Sequence, residues 1–273
     1  MKLIFLDIDG TLTPAGSNVP PDSALKAIRQ AQDAGHKVFL CSGRNRGMLS
    51  PLLAYGFDGY IASSGGYVVC GDRVLYDCPM TQEQRDLVME LLKESGVYRT
   101  VEAKDASFCD EGISEFLASV GSGGNSELVR WRKALERDLG ILPMSQYDGQ
   151  PIYKAVFMCE REEQLEPARQ RLGEAFNFVI QESLTPGCVN GELVNRAFDK
   201  GSGVELAARE LNVPIQDTIG FGDSMNDLEM IETVGVGVCM GNGCRELKEK
   251  SALVCGSVEE DGLAGAFEQL GLC

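Results

Sequence analysis

The sequence holds a single histidine, His36, and its ten cysteines form no Cys-x-x-Cys pair. That argues against a zinc site or a dithiol redox motif, both of which need closely spaced thiols or imidazoles. Long apolar runs are missing too. Only Leu3-Ile4-Phe5-Leu6 precede Asp7, far short of a signal-peptide core. No later stretch approaches the ~20 apolar residues of a membrane span, so no membrane partner is expected. Positive charge is in deficit: 25 Lys and Arg against 41 Asp and Glu give a net charge of −16. Non-specific nucleic-acid binding needs a basic footprint, so that partner class is excluded. These absences describe a cytoplasmic protein with reduced, mostly buried thiols. Cys41, Cys159 and Cys239 sit inside apolar runs, where a thiol behaves as a small hydrophobe. The negative field also repels anions at long range, so any phosphate site must be attractive locally.

With 273 residues the chain can form one large domain or two smaller ones. Strand and helix signals alternate at both ends. Residues 2–7, 37–41 and 60–62 read as short buried strands, and residues 21–34 as a helix with Ala24, Leu25, Ile28 and Ala31 on one face. Val68-Val69 and Val74-Leu75-Tyr76 flank Gly71-Asp72, a hairpin signal. After Pro79 the pattern changes to mixed short elements, with helices expected at 82–94, 127–137 and 162–174 and strands at 152–158 and 176–181. Residues 119–126 are rich in Gly and Ser and read as a loop. Arg130, Arg132 and Lys133 form a basic cluster on the second of those helices, read as a solvated face. From Lys200 the clean alternation returns: a helix through Val204, Ala208 and Leu211, a strand at 217–221, a helix at 224–231, a strand at 234–239 and a last helix at 259–270. The expected fold class is α/β, a doubly wound parallel sheet split in sequence into residues 1–79 and 188–273, with an α+β domain inserted at 80–187.

Two of the strands end abruptly in carboxylates. Leu3–Leu6 runs into Asp7-Ile8-Asp9-Gly10-Thr11, and Thr218–Phe221 runs into Gly222-Asp223-Ser224-Met225-Asn226-Asp227. In open α/β sheets, ligands bind beyond the carboxyl ends of strands. Two carboxylates about 4 Å apart repel by roughly 4 kcal/mol at a surface-like dielectric, so four that converge need a cation. Asp7 and Asp9 point to one face of an extended chain. Gly10 lets the chain turn away, and the Thr11 hydroxyl can orient a carboxylate. One carboxylate attacking phosphorus and the other working as acid and base is the chemistry this pair suggests. The competing reading is that strands often end in Asp for turn reasons. Ser224 with Asp227 also resembles a capping box, although that leaves Gly222-Asp223 unexplained. Metal ligation by Asp223, with Asp227 in outer support, fits Mg²⁺, which takes one or two carboxylates and keeps several waters.

Further signals come from two other turns. Ser42-Gly43-Arg44 follows an apolar strand, where a hydroxyl and a backbone N–H at a helix start make an anion seat. Lys200 precedes a helix whose expected cap is Ser202, with Glu205 completing a capping box. A cation is disfavoured near that positive helix end, and a facing phosphate removes the conflict. Gly241-Asn242-Gly243 reads as a turn that could border the site, and His36 is assigned no chemistry.

Four segments, Asp7-Ile8-Asp9-Gly10-Thr11, Ser42-Gly43-Arg44, Lys200-Gly201 and Gly222-Asp223-Ser224-Met225-Asn226-Asp227, resemble in type and order the motifs of the haloacid dehalogenase-like phosphohydrolases. The position and size of the insert resemble the Cof-type branch, whose large α/β cap is shared with phosphomannomutases and sucrose-phosphate phosphatases. The resemblance implies a Rossmann-like core with an α+β cap, and a Mg²⁺-dependent phosphatase acting on a small phosphorylated metabolite such as a sugar phosphate. It implies Asp7 as nucleophile, forming an aspartyl-phosphate, and Asp9 as acid and base. Mg²⁺ would be held by Asp7, Asp223 and the Asp9 carbonyl, with Asp227 acting through water. Thr11, Ser42, Gly43, Lys200 and Asn226 would hold the phosphate. The chain departs from many relatives at Ser64-Gly65-Gly66, where they carry Asn-Gly. A sugar phosphomutase on the same fold is one alternative. A phospho-accepting signalling module without turnover is another, disfavoured because such domains are much shorter. The sequence sets neither the substrate nor the oligomeric state.

Overall fold

The computed structural model describes residues 1–119, 141–180 and 187–273. They form two compact units, one made of Met1–Arg44, Leu49–Asp77 and Phe198–Cys273, the other of Asn45–Met48 and Cys78–Ala197. Along the chain the first unit begins with β1 (Leu3–Leu6), α1 (Asp22–Asp33), β2 (Lys37–Cys41), α2 (Arg46–Leu53, of which residues up to Met48 fall in the second unit), β3 (Gly59–Ala62), β4 (Tyr67–Cys70) and β5 (Arg73–Asp77). Every residue of β1 is fully buried, as expected of a central parallel strand covered on both faces. Leu3 and Phe5 join Phe39, Cys41 and Ile61 in the core beneath one face. Ile4 and Leu6 alternate to the other face, and α1 buries Ala24, Ala27, Ile28 and Ala31.

The second unit carries α3 (Gln82–Glu94), β6 (Tyr98–Ala103), β7 (Ser107–Cys109), α4 (Ile113–Ser119), β8 (Ile141–Pro143), β9 (Ile152–Cys159), α5 (Glu166–Leu172), β10 (Phe176–Ile180) and β11 (Val189–Asn195). Its sheet has the order β10-β11-β9-β6-β7-β8, antiparallel except for the parallel pair β7 and β8. Val88 and Leu92 of α3 and Ala168 and Leu172 of α5 pack with Val101, Ala155 and Phe157 into one core. Ile113, Phe116 and Leu117 of α4 pack with Val156 and Met158 of the opposite face. On that second face Lys154 pairs with Glu192 at 2.9 Å and Glu102 at 3.6 Å.

The chain then returns to the first unit through α6 (Lys200–Glu210), β12 (Thr218–Gly222), α7 (Leu228–Thr233), β13 (Val236–Cys239), α8 (Arg245–Lys250), β14 (Leu253–Val254) and α9 (Gly262–Gln269). The completed sheet has the order β14-β13-β12-β1-β2-β3-β4-β5. It is parallel from β14 to β3, with β4 and β5 added as an antiparallel hairpin. From β1 the chain builds outward one way to β2 and β3, and from β12 the other way to β13 and β14. The β1–β12 boundary is therefore the topological switch point, where such sheets bind ligands.

Some expectations need correction. Residues 188–197 belong to the inserted unit, because β11 pairs antiparallel with both β9 and β10. The helices expected at 162–174 and 224–231 each begin as a 3₁₀ turn, Glu162–Leu165 and Met225–Asp227. The helix at 127–137, its cluster Arg130, Arg132 and Lys133, and residues 120–126 lie outside the described residues. All ten cysteines are free; Cys41, Cys159, Cys188 and Cys239 are buried, Cys273 is exposed and the rest are intermediate, so the thiols are less buried than expected. Among the described residues no helix is long and apolar enough to cross a membrane.

Candidate active site

The site grows out of the register of β1 on β12. Leu6 pairs with Phe221, and the Asp7 N–H donates to the Phe221 carbonyl at 3.0 Å, so the two strands end together. Asp7 emerges from one and Asp223 from the other. Asp227 returns to the same point because a 3₁₀ turn follows Ser224. Its Oδ2 accepts the N–H groups of Asp223 (3.0 Å) and Ser224 (3.2 Å). Ligand oxygens of Asp7, Asp223 and Asp227 all lie within 4.8 Å of one another. Gly10 is required here: its φ is +85°, and a Cβ would fall 2.2 Å from the Asp223 Oδ2 atom. Gly222 is equally constrained, since a Cβ would fall 2.5 Å from that of Asp227.

Lys200 completes the cluster. Its Nζ donates to Asp7 Oδ1 at 2.7 Å and to Asp227 Oδ1, with the lysine side chain 1% exposed. The helix that carries it is capped by Asp199, whose Oδ1 accepts the Ser202 N–H at 2.7 Å while Ser202 Oγ accepts the Asp199 N–H at 2.9 Å. Ser202 is thus the third helical residue of a capping box and not the cap, and Glu205 plays no part in it. Lys200 becomes the first helical residue, and its conflict with the positive helix end is relieved by two carboxylates already in the protein. Gly201 and Gly203 let α6 approach this closely. A Cβ on the first would lie 2.4 Å from Thr233 Oγ1, and one on the second 2.8 Å from Ile61.

The electrostatics follow from burial. Desolvation pushes the Asp7 carboxyl well above the usual range, Asp227 and Asp223 adding to the rise and Lys200 opposing it. Burial, then the Asp227 charge, push Asp223 up to about 7. Burial works against the Lys200 ammonium, but Asp227 and Asp7 outweigh it and hold its pKa well above normal. When all three are ionised, the carboxylates outweigh the one ammonium by two negative charges in a largely buried, all-oxygen donor set. That set fits a hard divalent cation of the Mg²⁺ type.

Asp9 has Arg44 as a partner. Arg44 grips it with two bonds, Nε to Oδ2 at 2.9 Å and Nη2 to Oδ1 at 2.8 Å. Ser42 is buried, and its Oγ accepts the Arg44 N–H at 3.2 Å. The Ser42 carbonyl accepts the Ser64 N–H at 3.0 Å, and a Cβ on Gly65 would lie 2.2 Å from the Asp199 carbonyl. The loops carrying Ser42-Gly43, Ser64-Gly65 and Asp199-Lys200 are therefore stacked side by side. Ser63 and Ser64 both adopt positive φ, 50° and 57°, a region that asparagine tolerates better than serine. Asn226 is exposed, and its Oδ1 accepts the Ser224 hydroxyl at 2.9 Å. Thr11 is fully buried, and its hydroxyl has no hydrogen-bond partner. It lines a small, partly open pocket with Leu12, Pro21, Ser23 and Val258. Two residues gain functional contacts that sequence reasoning left unassigned. Arg44 was visible as the end of its motif. Asn242, in the turn noted as bordering the site, donates from Nδ2 to the Gly10 carbonyl at 2.8 Å and accepts the Val258 N–H at 3.0 Å.

Residues 4–267 match the family of haloacid dehalogenase-like hydrolases. The chain is 32% identical to YkrA of Bacillus subtilis (strain 168), over 99% of this chain and 98% of that one. It is 30% identical to the 5-amino-6-(5-phospho-D-ribitylamino)uracil phosphatase YwtE of the same organism, over 99% and 98% respectively. A solved structure from Geobacillus kaustophilus HTA426 superposes with a TM-score of 0.82 at 26% identity, covering 100% of this chain and 99% of that one. The chain belongs to the haloacid dehalogenase-like hydrolases and is a phosphoric monoester hydrolase of that family.

Proposed function

We propose that this enzyme is a Mg²⁺-dependent phosphatase that hydrolyses a small phosphorylated metabolite, a sugar phosphate or chemically similar monoester, through an aspartyl-phosphate on Asp7. The observation that carries the reading is the buried Asp7–Asp223–Asp227 cluster with Lys200 inside it, two negative charges in excess. Asp7, Asp223 and the Asp9 backbone carbonyl are the groups that would hold Mg²⁺, with Asp227 supporting from the outer shell. The cation's chemistry is to neutralise charge on the phosphoryl oxygens and on the attacking carboxylate.

Asp7 Oδ attacks phosphorus as the bond from phosphorus to the ester oxygen breaks, and a proton from the Asp9 carboxyl goes to that leaving oxygen. Water then attacks the phosphorus of the aspartyl-phosphate and passes its proton to Asp9. The Asp7–phosphorus linkage breaks, and both residues return to their starting state. Lys200 keeps Asp7 oriented through the 2.7 Å bond, while Ser42, the Gly43 N–H, Asn226 and the remaining Lys200 N–H are assigned to the phosphoryl oxygens. YwtE, whose named substrate is a phosphorylated ribityl compound, lends support to the small-metabolite class.

The test is a panel of phosphorylated metabolites with Mg²⁺, scored by free phosphate. Release from small sugar or polyol phosphates is expected, with loss of turnover in Asp7→Asn and in EDTA, and recovery on adding Mg²⁺. Appreciable turnover by folded Asp7→Asn removes the nucleophile assignment. Metal-independent hydrolysis removes the Mg²⁺ assignment. Conversion of a hexose phosphate to its isomer without phosphate release makes the enzyme a mutase.

A further inference from the structure

Asp9 makes a two-bond contact to a residue the reaction scheme leaves unused. Arg44 meets the carboxylate fork on fork, through Nε to Oδ2 and Nη2 to Oδ1, and the Gly16 N–H adds a bond to Oδ1 at 2.8 Å. The guanidinium is itself tied down: Nη1 donates to Asn18 Oδ1 at 2.6 Å and Nη2 to the Ser17 carbonyl at 3.3 Å. Its backbone is held as well, the N–H on Ser42 Oγ and the carbonyl accepting the Ser63 N–H at 2.9 Å. We propose that Arg44 is the positioning residue for proton transfer by Asp9. The proposal rests on the hydrolytic reading of Asp9 given above.

The physical case is geometric. The terminal torsion of an aspartate is broad, so a carboxyl group on a loop has no fixed plane of its own. Proton transfer to a leaving oxygen requires that plane to be set, because donor and acceptor must meet at hydrogen-bond distance in the transition state. Two parallel bonds to a planar guanidinium set it, which a point charge cannot do. The competing account is a plain ion pair that stabilises the fold. Both side chains keep some exposure, 13% for Arg44 and 16% for Asp9, and a partly solvated pair of this kind contributes little stability. The two accounts differ in which substrates suffer when the contact is lost. As Asp7 bonds to phosphorus, the electron pair of the breaking ester bond moves onto the leaving oxygen. A 4-nitrophenolate leaves without needing a proton, whereas a phenolate departs much faster with one.

The experiment measures kcat/KM, which reports the ester-cleaving step, on phenyl phosphate and 4-nitrophenyl phosphate. Arg44→Ala is expected to lose about ten- to a hundredfold on phenyl phosphate and less than about threefold on 4-nitrophenyl phosphate, the scale of general acid assistance. In an Asp9→Asn background, Arg44→Ala should remove less than about a further threefold on either ester, since coupled residues do not add. Arg44→Lys keeps the charge without the fork and carries the same test if the alanine variant does not fold; the same bias toward loss on phenyl phosphate is expected. An equal loss on both esters, or an undiminished loss in the Asp9→Asn background, overturns the proposal while leaving the hydrolytic reading intact. A wild-type enzyme that releases phosphate with Mg²⁺ neither from these esters nor from any of the metabolite panel overturns both.

Discussion

Lys200 shows how one residue converts a repulsive arrangement into a site. Burial favours the protonated form of Asp7, and the Lys200 ammonium 2.7 Å away opposes that rise. Its removal should be severe in two separable ways. Breaking a buried charged pair by deleting one partner costs roughly 3–5 kcal/mol. Lys200→Met, similar in volume, should therefore lower the thermal midpoint of the metal-free protein by many degrees and abolish measurable hydrolysis. A methionine variant that keeps both stability and turnover would show that the lysine is a bystander. At this scale much was legible. Asp7, Asp9, Asp223 and Asp227 stand out because carboxylates end otherwise apolar strands, and Lys200 because its charge suits no helix start. The partners were not legible. That Arg44 bonds Asp9, and that Lys200 bonds Asp227, depends on rotamers and on the packing of segments far apart in sequence. The misreading of Ser202 as the cap has the same origin, since Asp199 is equally good and only the helix start decides between them.

Helix α6 owes its position to glycines that helix propensity disfavours, so the element scale is where two energies compete. Alanine in place of glycine in a helix interior gains about 0.8–1 kcal/mol from propensity. At Gly265 in α9 the added Cβ meets nothing within 4 Å, so Gly265→Ala should raise stability by most of that amount. At Gly201 the same atom would lie 2.4 Å from Thr233 Oγ1 and 2.6 Å from the Glu229 backbone carbonyl. Overpacking of this kind costs about 1–3 kcal/mol, which exceeds the propensity gain. Gly201→Ala should therefore lower the denaturation midpoint, and it should depress activity as well because Lys200 is the adjacent residue. Urea unfolding of the two variants side by side checks the argument, and a stabilised Gly201→Ala would mean that α6 has room to move outward. Element existence was readable from periodicity on both sides of the insert. The fate of β11 was not: a strand pattern says that a segment is extended, not which sheet it joins, and only its pairing with β9 and β10 assigns it.

For the whole molecule, the split of one sheet around an insert places Asp7 and Asp223 at the switch point from opposite ends of the chain, and under the proposed Mg²⁺ reading folding and metal binding form one linked equilibrium. Without metal, the folded state raises Asp223 to about 7 from the usual 3.8, and Asp7 shifts the same way. A carboxyl whose folded pKa is raised binds its proton more tightly folded than unfolded. Its contribution to stability is complete below the unfolded pKa and is lost as pH rises through the folded one. Lys200, shifted upward from 10.5, stays protonated throughout that range and adds no slope there. The metal-free enzyme should therefore lose thermal stability between about pH 5 and pH 8. Mg²⁺ competes with the same protons, so the increment it gives should be small at the acid end and grow toward neutrality. Saturation at 100 times Kd corresponds to about 2.7 kcal/mol. Thermal unfolding in EDTA and in excess MgCl₂ across that range measures both curves. An Asp223→Asn variant supplies the control: its metal-free midpoint should fall less steeply with pH, and its response to Mg²⁺ should largely vanish. Equal Mg²⁺ increments at the two ends of the range would mean that no proton is displaced, and that the carboxylate cluster is not where the cation binds.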